Sequence, residues 1–299
     1  MGKQVGFIGL GTMGGPMANN LLKDGYLLRV YDINGEAIEA AVASGAAPAG
    51  SAREVADGAD VVICMLPASQ HVLEAAYGDD GFVSGLRPGA TVIDMSTIDP
   101  DTTRRVSDEV NSAGASMLDA PVSGSSAGAI AGTLTIMVGG KTAVLESHLD
   151  LLNAMGSTVI HCGPIGMGET VKLANNLIAA ISMVAVAEGF ALGVSKGAEP
   201  KVLFDVISKS SGSCWALETR CPMPGVVADS PASNDFAPGF MTDLMHKDLE
   251  LALTAAEGNK LRLPMAALAR ELYATASSEG YGRLDFSAVA KLLNSVSSL

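Results

Sequence analysis

The chain has 299 residues, of which 48% are hydrophobic and 17% are charged, and its formal net charge is −13. This composition is typical of a globular protein and argues against a disordered chain, and the length suits two domains. The negative charge also argues against nucleic acid or an anionic membrane surface as a partner, because both are bound by clustered Lys and Arg.

The cysteine content and the first residues of the chain predict the cellular compartment of the protein. The four cysteines are sparse and have no metal-ligand spacing, so we expect reduced thiols, no metal site and a cytoplasmic protein. The residues before the first strand are too few for a signal peptide. The apolar stretch 177–194 is nearly long enough to span a bilayer, but Glu188 interrupts it. We expect a buried helix or a subunit-interface helix there.

The chain opens with a strand, a glycine turn and a helix. Gly9, Gly11 and Gly14 form G-x-G-x-x-G directly after the apolar run 5–8, and helical spacing continues to residue 22. Gly9 would make a tight turn, Gly11 would let the backbone approach a pyrophosphate, and Gly14 would let the helix pack on the strand. The predicted cofactor-binding residues of this turn are Gly9, Gly11, Thr12, Met13 and Gly14. A purely structural glycine turn is the alternative.

Strands and helices then alternate. Strand patterns occur at 27–32, 61–66, 91–95, 116–120, 134–138 and 158–161, and helical patterns at 36–44 and 51–56. This alternation predicts a parallel, doubly wound sheet.

The second half of the chain has helical periodicity and few strand signals. Helices are predicted at 169–196, 200–209, 244–257, 266–279 and 287–295. We therefore predict an α/β fold, a Rossmann-type doubly wound sheet followed by an all-α C-terminal domain joined by a long helix. The expected domains are 1–163 for NAD binding and 164–299 for substrate binding and oligomerisation. The long apolar helix predicts a homodimer or homotetramer.

The ends of the predicted strands favour NAD. Asp32 lies 18 residues beyond Gly14, where a carboxylate accepts hydrogen bonds from the ribose of NAD and repels the 2′-phosphate of NADP. A solvated carboxylate at a strand end is the alternative. The other predicted cofactor contacts at strand ends are Met65, Leu66, Pro67 and Thr97. His71 either lines the same crevice or lies on the surface at a helix start.

Two further segments are candidates for the chemistry. The loop 119–128 is rich in small and hydroxyl residues, and it either presents N–H groups to a carboxylate or is an ordinary loop. Lys172 and Asn176 are four residues apart and share one helix face. A lysine at the start of such an apolar helix suits proton transfer to or from an alcohol oxygen, or it extends its amine to solvent.

Four motifs in order resemble the β-hydroxyacid dehydrogenase family, most closely its 3-hydroxyisobutyrate dehydrogenase branch. They are the glycine turn, Asp-Ala-Pro-Val-Ser-Gly at 119–124, Gly168 through Lys172 to Asn176, and Leu-Met-His-Lys-Asp-Leu at 244–249. Residues 210–215 and 222–226 point to that branch in particular.

The resemblance implies roles for single residues. They are Lys172 as general acid/base, Ser123, Gly124, Asn176, Trp215, Phe240 and Asp248 as substrate residues, and Thr97 and Lys247 as cofactor contacts. Two positions depart from the family pattern. Ser125 replaces a second glycine, and Arg220 stands where the branch often has tyrosine. We expect that extra cation either to favour a more acidic substrate or to face solvent.

The resemblance implies NAD-dependent oxidation of 3-hydroxyisobutyrate to methylmalonate semialdehyde, a step of valine breakdown. The alternatives are the same chemistry on L-serine, on tartronate semialdehyde or glycerate, on 3-hydroxypropionate or on a sulfonate analogue. A 6-phosphogluconate dehydrogenase would need a longer chain and a basic cluster for the sugar phosphate. An inactive NAD-binding module is disfavoured because Lys172, Asn176 and Lys247 are all present.

Overall fold

The structure is a computed structural model that describes residues 3–258 and 260–293. Its internal contacts divide the chain into two compact units, Met1–Lys172 and Leu173–Leu299. The domain boundary expected after residue 163 stays a prediction.

A nine-stranded sheet forms the centre of the first unit. Its strands are β1 (Gln4–Ile8), β2 (Leu27–Tyr31), β3 (Ala47–Pro48), β4 (Val61–Cys64), β5 (Thr91–Asp94), β6 (Ser116–Asp119), β7 (Val122–Ser123), β8 (Leu134–Gly139) and β9 (Gly156–Gly163). The order across the sheet is β3-β2-β1-β4-β5-β6-β8-β7, with β9 paired to β8. Strands β1 to β6 are parallel, so their carboxyl ends lie at one edge.

Helices connect these strands. They are α1 (Gly14–Lys23), α2 (Gly35–Ala43), α3 (Ala52–Ala56), α4 (Ser69–Tyr77), α5 (Pro100–Ser112), α6 (Ser125–Ala131), α7 (Thr142–Glu146) and α8 (Leu149–Asn153). Asn34, Ser51 and Asp99 each accept a hydrogen bond from a backbone N–H in the first turn of α2, α3 and α5. These side-chain caps explain why the three helices begin where they do.

Both faces of the parallel part of the sheet are buried. Along β4, Val61 and Ile63 belong to a hydrophobic cluster that also contains Met17 of α1. Val62 and Cys64 belong to a second cluster. Because successive side chains of a strand point to opposite faces, this division confirms the predicted doubly wound α/β class.

The prediction of a parallel sheet was wrong for β8. This strand runs antiparallel to β6 and β7, while β9 runs parallel to β8. A parallel connection needs a crossover of about a dozen residues or more. Between β7 and β8 the chain has only the short helix α6 and its turns, so it returns in the opposite direction.

The second unit is helical, as predicted. The long helix α9 (Met167–Ser195) begins in the first unit, and α10 (Pro200–Ile207), α11 (Trp215–Arg220), α12 (Thr242–Gly258) and α13 (Pro264–Ala276) follow. The helix expected at 266–279 ends at Ala276 and continues as a π turn in which Gly280 has a φ of +93°. The helix expected at 287–295 is the 3-10 helix Phe286–Leu293, and residues 294 and 295 lie outside the described residues.

Helix α9 is buried on one face only. The buried residues of that face are Asn176, Ala180, Met183, Ala187 and Phe190. On the opposite face Ile178 and Leu192 are 64% and 65% exposed. Within the described residues, α9 is also the one helix that is long and apolar enough to cross a membrane by length and composition. The apolar residues of α9 therefore lie partly on a face that packs in the core and partly on a face that is exposed in this chain.

Candidate active site

The glycine turn has the geometry of a dinucleotide cradle. Gly9 has a φ of +93°, and a side chain there would overlap the carbonyl oxygen of Met65. A side chain at Gly14 would overlap the carbonyl oxygen of Gly9, so the start of α1 packs directly on the turn. A Cβ at Gly11 would meet no atom within 4 Å. The turn is thus closed toward the protein and open at Gly11, which fits a pyrophosphate lying against the backbone.

Asp32 is held beside this turn. Its Oδ2 accepts a hydrogen bond from the backbone N–H of Leu10 at 2.6 Å, and its Oδ1 accepts one from Asn34 at 2.8 Å. The carboxylate is only partly buried, so it keeps an accessible side. A partly exposed carboxylate tied to the glycine turn fits the ribose of a bound dinucleotide.

The ends of β4 and β5 are joined to each other. The backbone N–H of Leu66 donates to Ser96 Oγ at 2.9 Å, and the N–H of Ser96 donates to Asp94 Oδ1 at 3.0 Å. Met65, Leu66 and Thr97 are partly buried and Pro67 is exposed, all at the carboxyl edge where ligands bind in such sheets. Their contacts with the cofactor stay predictions.

His71 lies in the first turn of α4 and is partly buried. Its Nδ1 is enclosed and has no hydrogen-bond partner among the described residues. Both alternatives for His71, a cofactor contact and a surface histidine at a helix start, stay predictions.

The predicted carboxylate-binding loop follows β6. Ser123 ends β7 and is partly buried, and Gly124 is exposed with a φ of +139°. Ser125, which replaces the usual glycine, has a φ of +57°. A serine is strained in this left-handed region where glycine is not, so the replacement costs stability.

Lys172 is buried one turn into α9, and two buried carboxylates fix the start of that helix. Asp119 Oδ1 accepts a hydrogen bond from the N–H of Gly166 at 2.8 Å, and its Oδ2 accepts one from Glu169 at 3.0 Å. Glu169 Oε2 in turn accepts the N–H of Ile98 at 3.3 Å. The helix start is therefore bound to the end of β6 and to the loop that follows β5, and the position of Lys172 follows from it.

The environment of Asp119 explains the shift of its pKa. Burial raises the pKa of this carboxyl, while the N–H groups of Gly166 and Glu169 oppose the shift because they favour the charged form. Gly168 is required at the same point, because a side chain there would overlap the carbonyl oxygen of Met137.

In the second unit, three residues with predicted roles lie together. Asn176 Nδ2 donates to Asp248 Oδ2 at 2.5 Å, and Lys247 Nζ lies 3.2 Å from Asp248 Oδ1. Asn176 and Asp248 are both buried, whereas Lys247 is about one quarter exposed. Asp248 thus orients the amide of Asn176 and receives the ammonium of its neighbour.

The expectation that Arg220 faces solvent was wrong, and its effect on the acidity of the preferred substrate stays a prediction. Its side chain is 14% exposed, and Nη1 donates to Asp285 Oδ2 at 2.7 Å. It neither faces solvent nor presents an unpaired cation, because the fully buried Asp285 neutralises it. Nearby, the ring of Trp215 stacks on Phe286 and that of Phe240 meets Phe286 edge-on.

Sequence reasoning missed three carboxylates, Asp119, Glu169 and Asp285. Asp119 opens a motif that was recognised, but its contacts join residues 47 and 50 positions apart in the chain. Glu169 gave little signal, because it lies between Gly168 and Thr170 at a polar helix start, where an acidic residue is usually solvated.

Comparisons with known proteins match both halves of the chain. The family model for the NAD-binding domain of 6-phosphogluconate dehydrogenase matches residues 4–163, and the model described as NAD-binding of NADP-dependent 3-hydroxyisobutyrate dehydrogenase matches residues 166–293. The NAD-dependent L-serine dehydrogenase of Pseudomonas aeruginosa is 50% identical over 98% of both chains. The 3-hydroxyisobutyrate dehydrogenase of the same organism is 45% identical over 96% of this chain and 97% of its own.

A solved structure is also similar to this chain over nearly its whole length. That of Mycobacterium tuberculosis 3-hydroxyisobutyrate dehydrogenase with L-serine has a TM-score of 0.93 at 42% identity, and the match covers 98% of this chain and 99% of the other.

Proposed function

This chain belongs to the β-hydroxyacid dehydrogenase family and is an NAD-dependent hydroxyacid dehydrogenase, and we propose that it oxidises 3-hydroxyisobutyrate to methylmalonate semialdehyde. The observation that carries the proposal is a buried Lys172 on a helix start that Asp119 and Glu169 bind to the dinucleotide-binding sheet. A lysine fixed in this way has one defined position relative to the strand ends, as a general base requires.

The chain's own groups supply the proton chemistry. We infer that Ser123 and Gly124 hold the substrate carboxylate, and that Asn176, oriented by Asp248, directs the substrate hydroxyl. Lys172, as the neutral amine, takes the hydroxyl proton during oxidation and returns it in the reverse direction. The glycine turn and Asp32 hold NAD, which when bound accepts the hydrogen and electron pair that leave the substrate carbon.

An apolar aromatic cluster supports 3-hydroxyisobutyrate as the substrate. Trp215, Phe240 and Phe286 form one group of stacked and edge-on rings, and the ring of Trp215 is the exposed member. 3-Hydroxyisobutyrate carries a methyl group on C2, and burying a methyl group in an apolar site changes specificity by about tenfold or more. This substrate would place the enzyme in valine breakdown.

L-Serine is the second candidate, and the relative named L-serine dehydrogenase favours it. L-Serine keeps the carboxylate and the primary hydroxyl of 3-hydroxyisobutyrate and differs at C2, where an ammonium replaces the methyl group. Lys172 would perform the same proton transfer on either substrate.

A substrate panel tests the proposal. The specificity constant kcat/KM with NAD would be measured for 3-hydroxyisobutyrate, L-serine, 3-hydroxypropionate, glycerate and 4-hydroxybutyrate. We expect the highest value for 3-hydroxyisobutyrate. A higher value for L-serine would establish the second candidate, and a preference for 4-hydroxybutyrate, whose hydroxyl is one carbon farther away, would contradict the β-hydroxyacid assignment.

We also propose that the enzyme is a cytoplasmic homodimer or homotetramer. The exposed apolar face of α9, together with the exposed Val202 and Val206 of α10, supports association between copies of the chain. A second copy would cover this face and leave α9 a helix of a soluble assembly.

A further inference from the structure

Arg220 contacts an aromatic ring as well as its carboxylate partner. Its Cζ lies 5.6 Å from the centre of the Trp215 ring, within the range of a cation–π interaction. The Trp215 ring is parallel to that of Phe286 within 5°, with centres 6.5 Å apart. Trp215 is 53% exposed, so these two contacts restrain a ring that solvent or a ligand can reach.

Asp285 connects Arg220 with the rest of the aromatic cluster. Its Oδ2 accepts hydrogen bonds from Arg220 and from the backbone N–H groups of Gly239 and Phe240, the latter two at 3.2 and 3.1 Å. The N–H of Phe286 donates to the carbonyl of Phe240 at 2.9 Å. One buried carboxylate therefore sets the positions of the guanidinium and of the backbone that carries two of the rings.

The local chain is shaped around the guanidinium. A side chain at Gly239 would overlap Arg220 Nη1, so glycine at this position lets the guanidinium lie against the backbone. Arg220 is also at the end of the short helix that Trp215 begins, and both ends of α11 are thereby fixed.

We propose that Arg220 is a positioning residue that sets substrate specificity, by holding the Trp215 ring as a fixed apolar surface for the C2 substituent of the hydroxyacid. This inference rests on the proposed function, which assigns Trp215 to the substrate side. Because Asp285 neutralises the cation, Arg220 does not recruit a second substrate carboxylate. A hydroxyacid with an apolar C2 substituent binds more tightly because of this apolar surface, whereas a dicarboxylate does not.

Fluorescence tests whether Arg220 restrains the ring. Trp215 is the only tryptophan of the chain, so the emission of the protein reports on this ring alone. Arg220→Met removes the cation, and Arg220→Lys keeps a cation for Asp285 but loses the planar group that stacks. We expect acrylamide to quench both variants more strongly than the wild type, by about twofold for Arg220→Met. The exposed Arg262→Met is the matched control and should be quenched like the wild type.

Kinetics test the effect on specificity. 3-Hydroxypropionate lacks the C2 methyl group, so the ratio of kcat/KM for 3-hydroxyisobutyrate over 3-hydroxypropionate isolates that group. We expect a wild-type ratio of about ten or more, and a fall to about two in Arg220→Met. The fall should come from a higher KM for 3-hydroxyisobutyrate, with kcat for 3-hydroxypropionate unchanged. If Arg220→Met does not fold because Asp285 is left unpaired, Arg220→Lys carries both measurements.

The outcomes separate the two claims. Unchanged quenching in both variants would overturn the restraint of Trp215 by Arg220. Stronger quenching with an unchanged ratio would overturn the specificity role and leave the proposed function standing. A wild-type enzyme that oxidises neither hydroxyacid would refute the proposed function and, with it, the specificity role.

Discussion

Buried carboxylates are the residues that determine how the strand ends are arranged. Asp94 and Asp119 end the adjacent strands β5 and β6 and are paired in register, and both are fully buried. Asp119 fixes the start of α9, and Asp94 receives the N–H of Ser96 in the loop that leads to Thr97. Each is stabilised as an anion by backbone N–H groups and destabilised by burial, and burial raises the pKa of both carboxyls.

The pH dependence of stability follows from Asp94. Burial raises its pKa to about 6, above the value of about 4 for an unfolded aspartate. The native state therefore binds more protons between these values, and the stability from protonated Asp94 is present below about pH 4 and lost as pH rises through about 6. Asp94→Asn stays neutral, so its free energy of unfolding relative to wild type should rise by about 2–3 kcal/mol between about pH 4 and pH 8.

Urea denaturation at several pH values measures this difference. The exposed Asp79→Asn serves as the control and should keep a constant difference from the wild type. A constant difference for Asp94→Asn as well would show that this carboxyl does not titrate as its burial implies.

Cofactor choice is expected to depend on Asp32. Asp32→Asn keeps an acceptor for Leu10 but removes the charge that we expect to bind the ribose hydroxyls of NAD and to repel the 2′-phosphate of NADP. The preference for NAD over NADP, measured as the ratio of kcat/KM values, should fall by about 10- to 100-fold. Asp24→Asn, at an exposed position after α1, should leave the ratio unchanged. An unchanged ratio in Asp32→Asn would remove this residue from cofactor selection.

Single residues were predictable from sequence where a motif fixes their role. The glycine turn and Asp32 belong to one local pattern, and the structure gives Gly9 and Gly14 the predicted steric roles, while the role of Gly11 stays a prediction. The contacts of Arg220 were not predictable, because its partner Asp285 lies 65 positions away. A charged side chain has the same sequence signal whether it faces solvent or a buried ion pair.

At the scale of elements, two glycines of the turn between β1 and α1 are expected to have different roles. Gly14 matters for stability, and Gly11 matters for NAD binding. Gly14→Ala should destabilise the protein by about 1–3 kcal/mol, because the added methyl overlaps the carbonyl oxygen of Gly9. Gly11→Ala adds its methyl to open space at a negative φ, so its free energy of unfolding should stay within about 0.5 kcal/mol of wild type. Its NAD affinity should nevertheless fall by about tenfold or more, because the methyl occupies the path of the pyrophosphate.

Thermal or urea unfolding and NAD titration of the two variants check this contrast. Equal NAD affinity in Gly11→Ala and wild type would contradict the assignment of the open side of the turn to the cofactor.

The elements themselves were predictable to different degrees. Continuous apolar runs predicted β4, β5 and β6, because a strand buried on both faces is apolar at nearly every position. The direction of β8 was not predictable, because a buried strand has the same hydrophobic pattern whichever way it runs. Helix α5 was missed because it is mostly polar, and only a narrow stripe including Val106 and Val110 reaches the core.

At the scale of the whole molecule, the uncovered face of α9 predicts association. Ile178→Glu combined with Leu192→Glu places two charges on that face and should lower the molar mass measured by light scattering to that of a smaller assembly or a monomer. Ser195→Glu, exposed at the end of the same helix, is the control and should keep the wild-type mass. A monomeric wild type, or an unchanged mass in the double variant, would contradict the use of this face between copies.

The central claim is that Lys172 moves the substrate proton, and turnover of Lys172→Met tests it most directly. Methionine keeps the bulk of a buried side chain and removes the amine, so NAD should bind as in the wild type while kcat falls by about a thousandfold. Lys196→Met, which removes an exposed lysine just beyond α9, should retain wild-type kcat. Wild-type kcat in Lys172→Met, measured with a preparation that binds NAD normally, would contradict the account.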